Sequence, residues 1–187
     1  KTHEDVREAT LRALELAKKN GRLMSLDPNL RPPLWSSLDL AKEQIFSAME
    51  HCDILKISDN EIQFITGVED YDEGIQIIRV RFQIPLVCLT LGKDGSRAYY
   101  KNIYAEAPTF LNVKTIDTTG AGDTFCACCI DWFLNNGGKE IEEAELKNML
   151  VFANAAASLV TCKKGALLSM PEISDINNLI KENENNE

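Results

Sequence analysis

The chain has 187 residues, 44% apolar and 26% charged, with 29 Asp and Glu against 20 Lys and Arg for a net charge of −9. This is ordinary globular composition, with length for one domain and its core but not for two comfortable ones. An acidic chain suits nucleic acid poorly, and no apolar run approaches the ~20 residues of a membrane helix, so neither nucleic acid nor membrane is expected among its partners.

The opening K-T-H-E-D-V is polar and reads as no signal peptide, and the first residue is not Met, which leads us to expect a fragment or a processed product. Six cysteines (Cys52, Cys88, Cys126, Cys128, Cys129 and Cys162) have mostly apolar neighbours and read as buried free thiols of a cytoplasmic protein. With His3 and His51 the only histidines, a structural zinc is not expected.

Glu4 to Asn20 is expected to be helical, with Val6, Thr10, Ala13, Leu14 and Ala17 on the inward face and Gly21 as the stop. Arg22 to Leu26 reads as a strand, and D-P-N-L-R-P-P-L-W is too rich in proline for anything but a loop. A helix follows over about Leu38–Met49 with Leu38, Ala41, Ile45, Ala48 and Met49 inward, then a strand over Asp53–Ile57. Ser58 opens a third helix that Gly67 ends; Asp72–Phe82 makes a fourth, and I-P-L-V-C-L-T-L a third strand.

Beyond Gly95, S-R-A-Y-Y and I-Y-A-E-A read as a hairpin around K-N, and V-K-T-I as a further strand. A glycine-rich turn leads into a helix from Ala121 to Asn135, broken by Gly137 and Gly138. Glu142–Thr161 is expected to be helical with Leu146, Met149, Leu150, Ala153, Ala157 and Val160 inward, and the tail from residue 182 to fray. Helix and strand alternate, which implies parallel strands, right-handed crossovers and an α/β sandwich with helices on both faces. Ligands of such sheets bind beyond the carboxyl ends of the strands.

The most informative stretch is I-D-T-T-G-A-G-D-T-F, residues 116 to 125. Gly120, Ala121 and Gly122 leave backbone N–H groups uncovered where a helix begins, a place that favours anions. Asp123 stands beside them, where a carboxylate could take the proton of a hydroxyl attacking a phosphorus. The plainer alternative is that Asp123 only caps the helix, as Asp commonly does.

D-T-T-G-A-G-D-T-F resembles the C-terminal signature of the ribokinase-like (PfkB) sugar kinases. T-L-G-K-D-G resembles that family's nucleotide loop, A-N-A-A-A-S-L-V-T-C-K-K-G-A-L-L-S-M-P its adenine- and cation-binding tail, and D-P-N-L-R-P-P-L-W its fructokinase branch. The resemblance covers nearly the whole chain. It implies a three-layer α/β/α sandwich with a mainly parallel sheet, Asp123 as catalytic base, and Gly120, Ala121 and Gly122 as the anion hole. It assigns Thr90, Leu91, Gly92, Lys93, Asp94 and Gly95 to the nucleotide loop, and Asn154 and Gly165 to the adenine pocket. Asn154 read without the family is a polar group on a helix surface. Asp117, Thr119, Gly165 and Ser169 match positions that hold a monovalent cation, K⁺.

The family's Asn-x-x-Glu motif aligns with S-D-N-E, so Ser58 departs at its first position and Glu61 keeps its last. Glu61 would act on Mg²⁺ through water, although Ser-x-x-Glu is also a capping box. Asn29 and Arg31 follow the first strand and would contact the phosphoryl group or the sugar; the alternative is an Asx turn and a surface ion pair.

The resemblance implies a single C-terminal nucleotide-binding and catalytic portion, inactive alone, of a kinase that takes ATP and a sugar, with D-fructose expected, and that as a complete enzyme forms a homodimer. A kinase of another sugar, sugar acid or nucleoside, and a non-catalytic nucleotide-binding module, stand as alternatives.

Overall fold

The structure is a computed structural model and describes residues 4–111 and 114–185. The described residues form helices α1 (Glu4–Lys19), α2 (Leu38–Met49), α3 (Asp59–Thr66), α4 (Tyr71–Phe82), α5 (Ala121–Asn136), α6 (Glu143–Val160) and α7 (Ile173–Glu184). The strands are β1 (Ser25–Leu26), β2 (Ile54–Ser58), β3 (Leu86–Thr90), β4 (Ser96–Tyr100) and β5 (Ile103–Ala107), hydrogen-bonded in the order β1-β2-β3-β4-β5. β1 and β2 are parallel, with Ser25 opposite Ile54, and β4 and β5 form the expected antiparallel hairpin, with Ser96 opposite Ala107. This is the α/β class expected from the alternating pattern.

The chain divides into two compact units, residues 1–87 and 88–187. In the first, β2 is buried along Ile54, Leu55, Lys56 and Ile57, and α3 packs on it through Ile62 and Ile65. The four buried β2 residues show none of the alternation of a half-buried strand, as befits a strand covered on both faces. Local chemistry sets the helix starts: the Ser37 hydroxyl accepts the Leu40 N–H at 3.1 Å and the Asp70 carboxylate that of Glu73 at 2.8 Å. Gly67, at φ 79°, closes α3 in a left-handed conformation that costs a non-glycine residue about 1 kcal/mol or more.

In the second unit α6 packs on α5, on the hairpin and on α7. Ile176 and Leu179 of α7 bury against Ala155 and Ala156 of α6 and Phe110. The small alanines let the helices approach closely, and the apolar positions of α7 three apart supply the matching stripe. The sequence reading assigned no helix here, and α7 continues through Glu184, into the segment expected to fray.

Three further expectations differ. α1 forms as expected, but only Leu14 and Ala17 of its inward set are half-buried, while Val6, Thr10 and Ala13 are exposed. Leu38 is likewise exposed, and Ala48 and Ala157 only half-buried. Of V-K-T-I, Val113 lies outside the described residues and Lys114–Ile116 is not a strand: the Ile116 and Asp117 N–H groups both donate to the Thr161 carbonyl, at 2.8 and 3.1 Å. One acceptor shared by two successive donors is a loop anchor, not a ladder.

All six cysteines are free, with Cys128 and Cys162 half-buried and the others buried. Burial pushes the Cys128 thiol up to about 11, with Asp131 adding to it. The Cys129 thiol lies well above its ordinary value, first through its hydrogen bond with Cys88 and then through burial. Such thiols stay protonated and inert at neutral pH. No helix among the described residues is long and apolar enough to cross a membrane.

Gly95 carries the sharpest steric constraint. It has φ 97°, and a Cβ there would stand 2.2 Å from the Ala107 carbonyl oxygen and 3.0 Å from the Pro108 Cα. Gly92, three residues earlier at φ 58°, has open space around it. Gly95→Ala is therefore expected to cost at least ~3 kcal/mol and Gly92→Ala only ~1 kcal/mol, the backbone term alone. Urea denaturation of the two variants checks this; equal losses would mean the contact with Ala107 is not the constraint.

Candidate active site

In the second unit, three segments converge on the start of α5. Thr161, the residue that ends α6, organises the first. Its carbonyl takes the two N–H groups of Ile116 and Asp117, and its hydroxyl pairs with that of Thr115 at 3.2 Å. The chain then turns on Asp117, whose Oδ1 accepts the Thr119 N–H at 3.0 Å and the Thr119 hydroxyl at 2.7 Å. Gly120 follows at φ 87° and the helix begins.

The backbone donors of that first turn have different fates. Ala121 N–H donates to the Thr118 carbonyl at 3.2 Å, and Thr124 donates both its N–H and its hydroxyl to the Gly120 carbonyl, at 2.9 and 2.8 Å. The Gly122 and Asp123 N–H groups have no hydrogen-bond partner among the described residues. Two unclaimed donors at the positive end of a 16-residue helix are an arrangement that favours an anion. Asp123 is exposed beside them, and its carboxylate makes no hydrogen bond among the described residues. Gly120, Ala121, Gly122 and Asp123 thus occupy one helix start, as the motif requires.

The loop after α6 lies over this turn: a Cβ on Gly120 would stand 3.4 Å from Ala166. Gly165 there has φ 124° and Ala166 φ 44°. The Gly165 carbonyl accepts the Leu168 N–H at 3.0 Å, and the buried Ser169 hydroxyl donates to the Ala166 carbonyl at 2.8 Å. The structure therefore brings the expected cation-site residues Gly165 and Ser169 into the loop against the Asp117–Gly120 turn. Each carbonyl keeps a second lone pair, and Asp117 keeps Oδ2 without a hydrogen bond. Among the described residues no group of three or more His, Cys, Asp and Glu could hold a metal ion.

The expected nucleotide loop begins at Thr90, the last residue of β3. The Leu91 N–H donates to the Gly95 carbonyl at 2.9 Å, and the Asp94 N–H returns to the Leu91 carbonyl at 3.1 Å. Gly92, Lys93 and Asp94 make a single exposed 3₁₀ turn, while Gly95 is buried against Ala107.

Asn154 is 5% exposed, so it is not the surface polar group that its helix position alone would allow. Its Oδ1 accepts the Ser96 hydroxyl at 3.0 Å, and its Nδ2 donates to the carbonyls of Ala107 and Pro108 at 3.1 and 3.0 Å. Both amide protons are engaged, so Asn154 braces the Gly95–Ala107 contact behind the loop.

In the first unit, Asn29 and Arg31 are exposed in the loop after β1. Asn29 has φ 43°, and its N–H donates to Asp27 Oδ1 at 3.1 Å, so the Asx turn here is made by Asp27 and not, as expected, by Asn29. The expected surface ion pair of Arg31 is replaced by local contacts: its Nη1 donates to the Asn29 and Leu30 carbonyls at 3.4 and 3.2 Å. Glu61 is 6% exposed; its Oε2 accepts the Ser58 N–H and hydroxyl, each at 2.9 Å, and its Oε1 accepts the Leu30 N–H at 2.7 Å. The capping box is present, and it reaches the loop as well. Three of about four acceptor positions are filled, which leaves one for a water or another partner.

Two residues escaped the sequence reading. Lys56 lies inside the buried run of β2, with its Nζ 3.2 Å from Asp27 Oδ2. Burial raises the Asp27 pKa; Lys56 opposes this, and the charge of Glu61 adds to it. A lysine inside I-L-K-I, and an aspartate closing a strand at the ligand edge, were the signals available.

Asp117 titrates below the ordinary aspartate range, held there first by the Thr119 N–H, then by the Thr119 hydroxyl, with Lys164 contributing. A carboxylate with a depressed pKa favours the folded turn above its unfolded value, and that preference fades as pH falls through the folded one. Thr119→Val should raise the Asp117 pKa without restoring it fully, because the N–H remains. A carboxyl-carbon NMR titration measures this; an unmoved pKa would show that the hydroxyl does not hold the turn.

A model of the pfkB family carbohydrate kinases matches residues 2–173. The chain is 38% identical over 178 residues to fructokinase-2 of Solanum habrochaites, covering 95% of this chain and 54% of that one. It is 36% identical over 178 residues to fructokinase-1 of Zea mays, covering 95% and 55%. The chain thus spans about half the length of these curated relatives. Among solved structures, a fructokinase double mutant from Vibrio cholerae O395 in fructose, ADP and potassium ion bound form superposes with a TM-score of 0.83 at 31% identity, covering 95% of this chain and 56% of that one. The resemblance read from four motifs is therefore a relationship along nearly the whole chain, and the chain belongs to the pfkB family of carbohydrate kinases.

Proposed function

We propose that the protein transfers the terminal phosphoryl group of ATP to a sugar hydroxyl, and that this chain carries the ATP site and the catalytic base. The observation that carries the reading is the start of α5, where the exposed Asp123 carboxylate adjoins the unclaimed N–H groups of Gly122 and Asp123. In the proposed step the sugar oxygen bonds to the γ-phosphorus as the bond from that phosphorus to the ADP oxygen breaks. The hydroxyl proton passes to Asp123, and the N–H groups stabilise the charge on the phosphoryl oxygens.

The 90–95 loop would hold the nucleotide, with Asn154 bracing that loop from behind, and Asn29 and Arg31 would meet the phosphoryl group or the sugar. Mg²⁺ would neutralise charge between the phosphates when bound. Glu61 would act on it through one of its waters, by the single acceptor position left. Asp117, Thr119, Gly165 and Ser169 would hold K⁺ against the turn, stiffening the anion site. Fructose is the first sugar to test, because D-P-N-L-R-P-P-L-W reads as fructokinase-like and the relatives carry that name.

Asp123→Asn tests the reading in the longest product of the coding sequence, assayed with MgATP and fructose. Turnover is expected to fall roughly 10²–10⁴-fold with nucleotide affinity and melting temperature unchanged, because Asn keeps the shape and cannot take the proton. If Asp123 only caps the helix, neither rate nor stability changes. Turnover within about threefold of the parent, against that expected 10²-fold or greater loss, removes Asp123 as the base.

A further inference from the structure

The proposed reaction does not use Lys56, although Lys56 is the most conspicuous charge in the first unit. It is 7% exposed on β2, between Leu55 and Ile57, both fully buried. A buried ammonium is costly to desolvate, and an apolar residue of the same length would suit the strand better unless the charge is needed. Its Nζ lies 3.2 Å from Asp27 Oδ2 and 3.4 Å from Oδ1.

Asp27 uses its other contact outward. Its Oδ1 accepts the Asn29 N–H at 3.1 Å, holding Asn29 at φ 43°, a conformation that side-chain-bearing residues rarely adopt. The next N–H, that of Leu30, is taken by Glu61 at 2.7 Å. Two carboxylates thus fasten two successive amides of the loop that presents Asn29 and Arg31. They also repel each other, and Asp27 is sparsely solvated, at 18% side-chain exposure. The cation that keeps Asp27 charged and in place beside Glu61 is Lys56.

We propose that Lys56 is a positioning residue: through Asp27 it sets the Asx turn that presents Asn29 and Arg31 to the substrate. The role in turnover rests on the phosphoryl-transfer reading above; the role in shaping the loop does not.

Two arms test it. The first is hydrogen exchange on the 187-residue chain. Lys56→Met should speed exchange of the Asn29 amide by about tenfold, the loss expected of a charge-assisted hydrogen bond, while the Leu55 and Ile57 amides keep their protection; Lys56→Arg should restore it. Unchanged exchange at Asn29, or equal acceleration at Leu55 and Ile57, overturns the proposal. Should Lys56→Met fail to fold, the Lys56→Met and Asp27→Asn pair removes both charges at once, and the same amide should again exchange faster; protection equal to the parent's overturns the proposal.

The second arm is kinetic, in the longest product of the coding sequence. Lys56→Met should lower kcat/KM for the sugar by about tenfold or more with nucleotide affinity unchanged, and should cause no further loss in an Arg31→Ala background. Losses that multiply show that Lys56 does not act through the loop and overturn its role in turnover. If the parent phosphorylates no sugar at all, the functional reading fails, while the exchange arm still decides whether Lys56 holds the loop.

Discussion

Backbone N–H groups that lose their partners where the chain leaves regular structure or enters a helix dominate this protein. Each such junction exposes donors that need an acceptor, and here carboxylates supply most of them. Glu61 takes three donors between Ser58 and Leu30, Asp117 takes two from Thr119, and Asp27 takes one from Asn29. At the start of α5 the nearby carboxylate plays no such part. The Gly122 and Asp123 donors stay open, and the adjacent carboxylate of Asp123 points to solvent instead of closing on them. An acceptor from outside the chain would complete the set, and a phosphate has the charge and the oxygens to do so.

The rest of the second unit is arranged to keep that opening in shape. Thr161 fixes the incoming chain by carbonyl and hydroxyl, Gly120 tolerates the left-handed turn, and Ala166 lies close above it. Anchoring from three sides means that the donors would need little reorganisation on meeting an anion, the condition under which such groups can lower a barrier.

Much of this was legible in the sequence because it depends on local chemistry. Ser58, Gly67 and the Gly120–Gly122 run are punctuation that acts within a few residues, so the bounds of α2, α3 and α5 follow from caps and periodicity. What was not legible depends on partners far away in the chain. V-K-T-I has strand composition, but the described part of it answers to a carbonyl at the end of α6. α7 is different: its stripe of Ile173, Ile176, Leu179 and Ile180 has helical spacing and was a legible signal that the polar run after it obscured, and Ala155 and Ala156 supply the surface it meets. Asn154 could be read as a surface residue or a ligand contact; only the fold shows its amide closed off by Ser96, Ala107 and Pro108. Asp27 and Lys56 are 29 residues apart, and neither declares the other.

The bracing by Asn154 has a bearing on how this family can diversify. The site wants one acceptor and two donors, spread over a short reach and aimed at a hydroxyl and two carbonyls. A histidine there offers at most two ring nitrogens, an aspartate offers no donor, and a glutamine is a methylene too long. Drift at position 154 is therefore tied to compensating change at Ser96 or in the backbone path of Ala107–Pro108. Gly95 in turn has no freedom while that path stays where it is. Positions 95, 96 and 154 should change together or not at all among homologues, a correlated block that marks where the 92–94 turn meets its support more surely than the identity of any one of its residues.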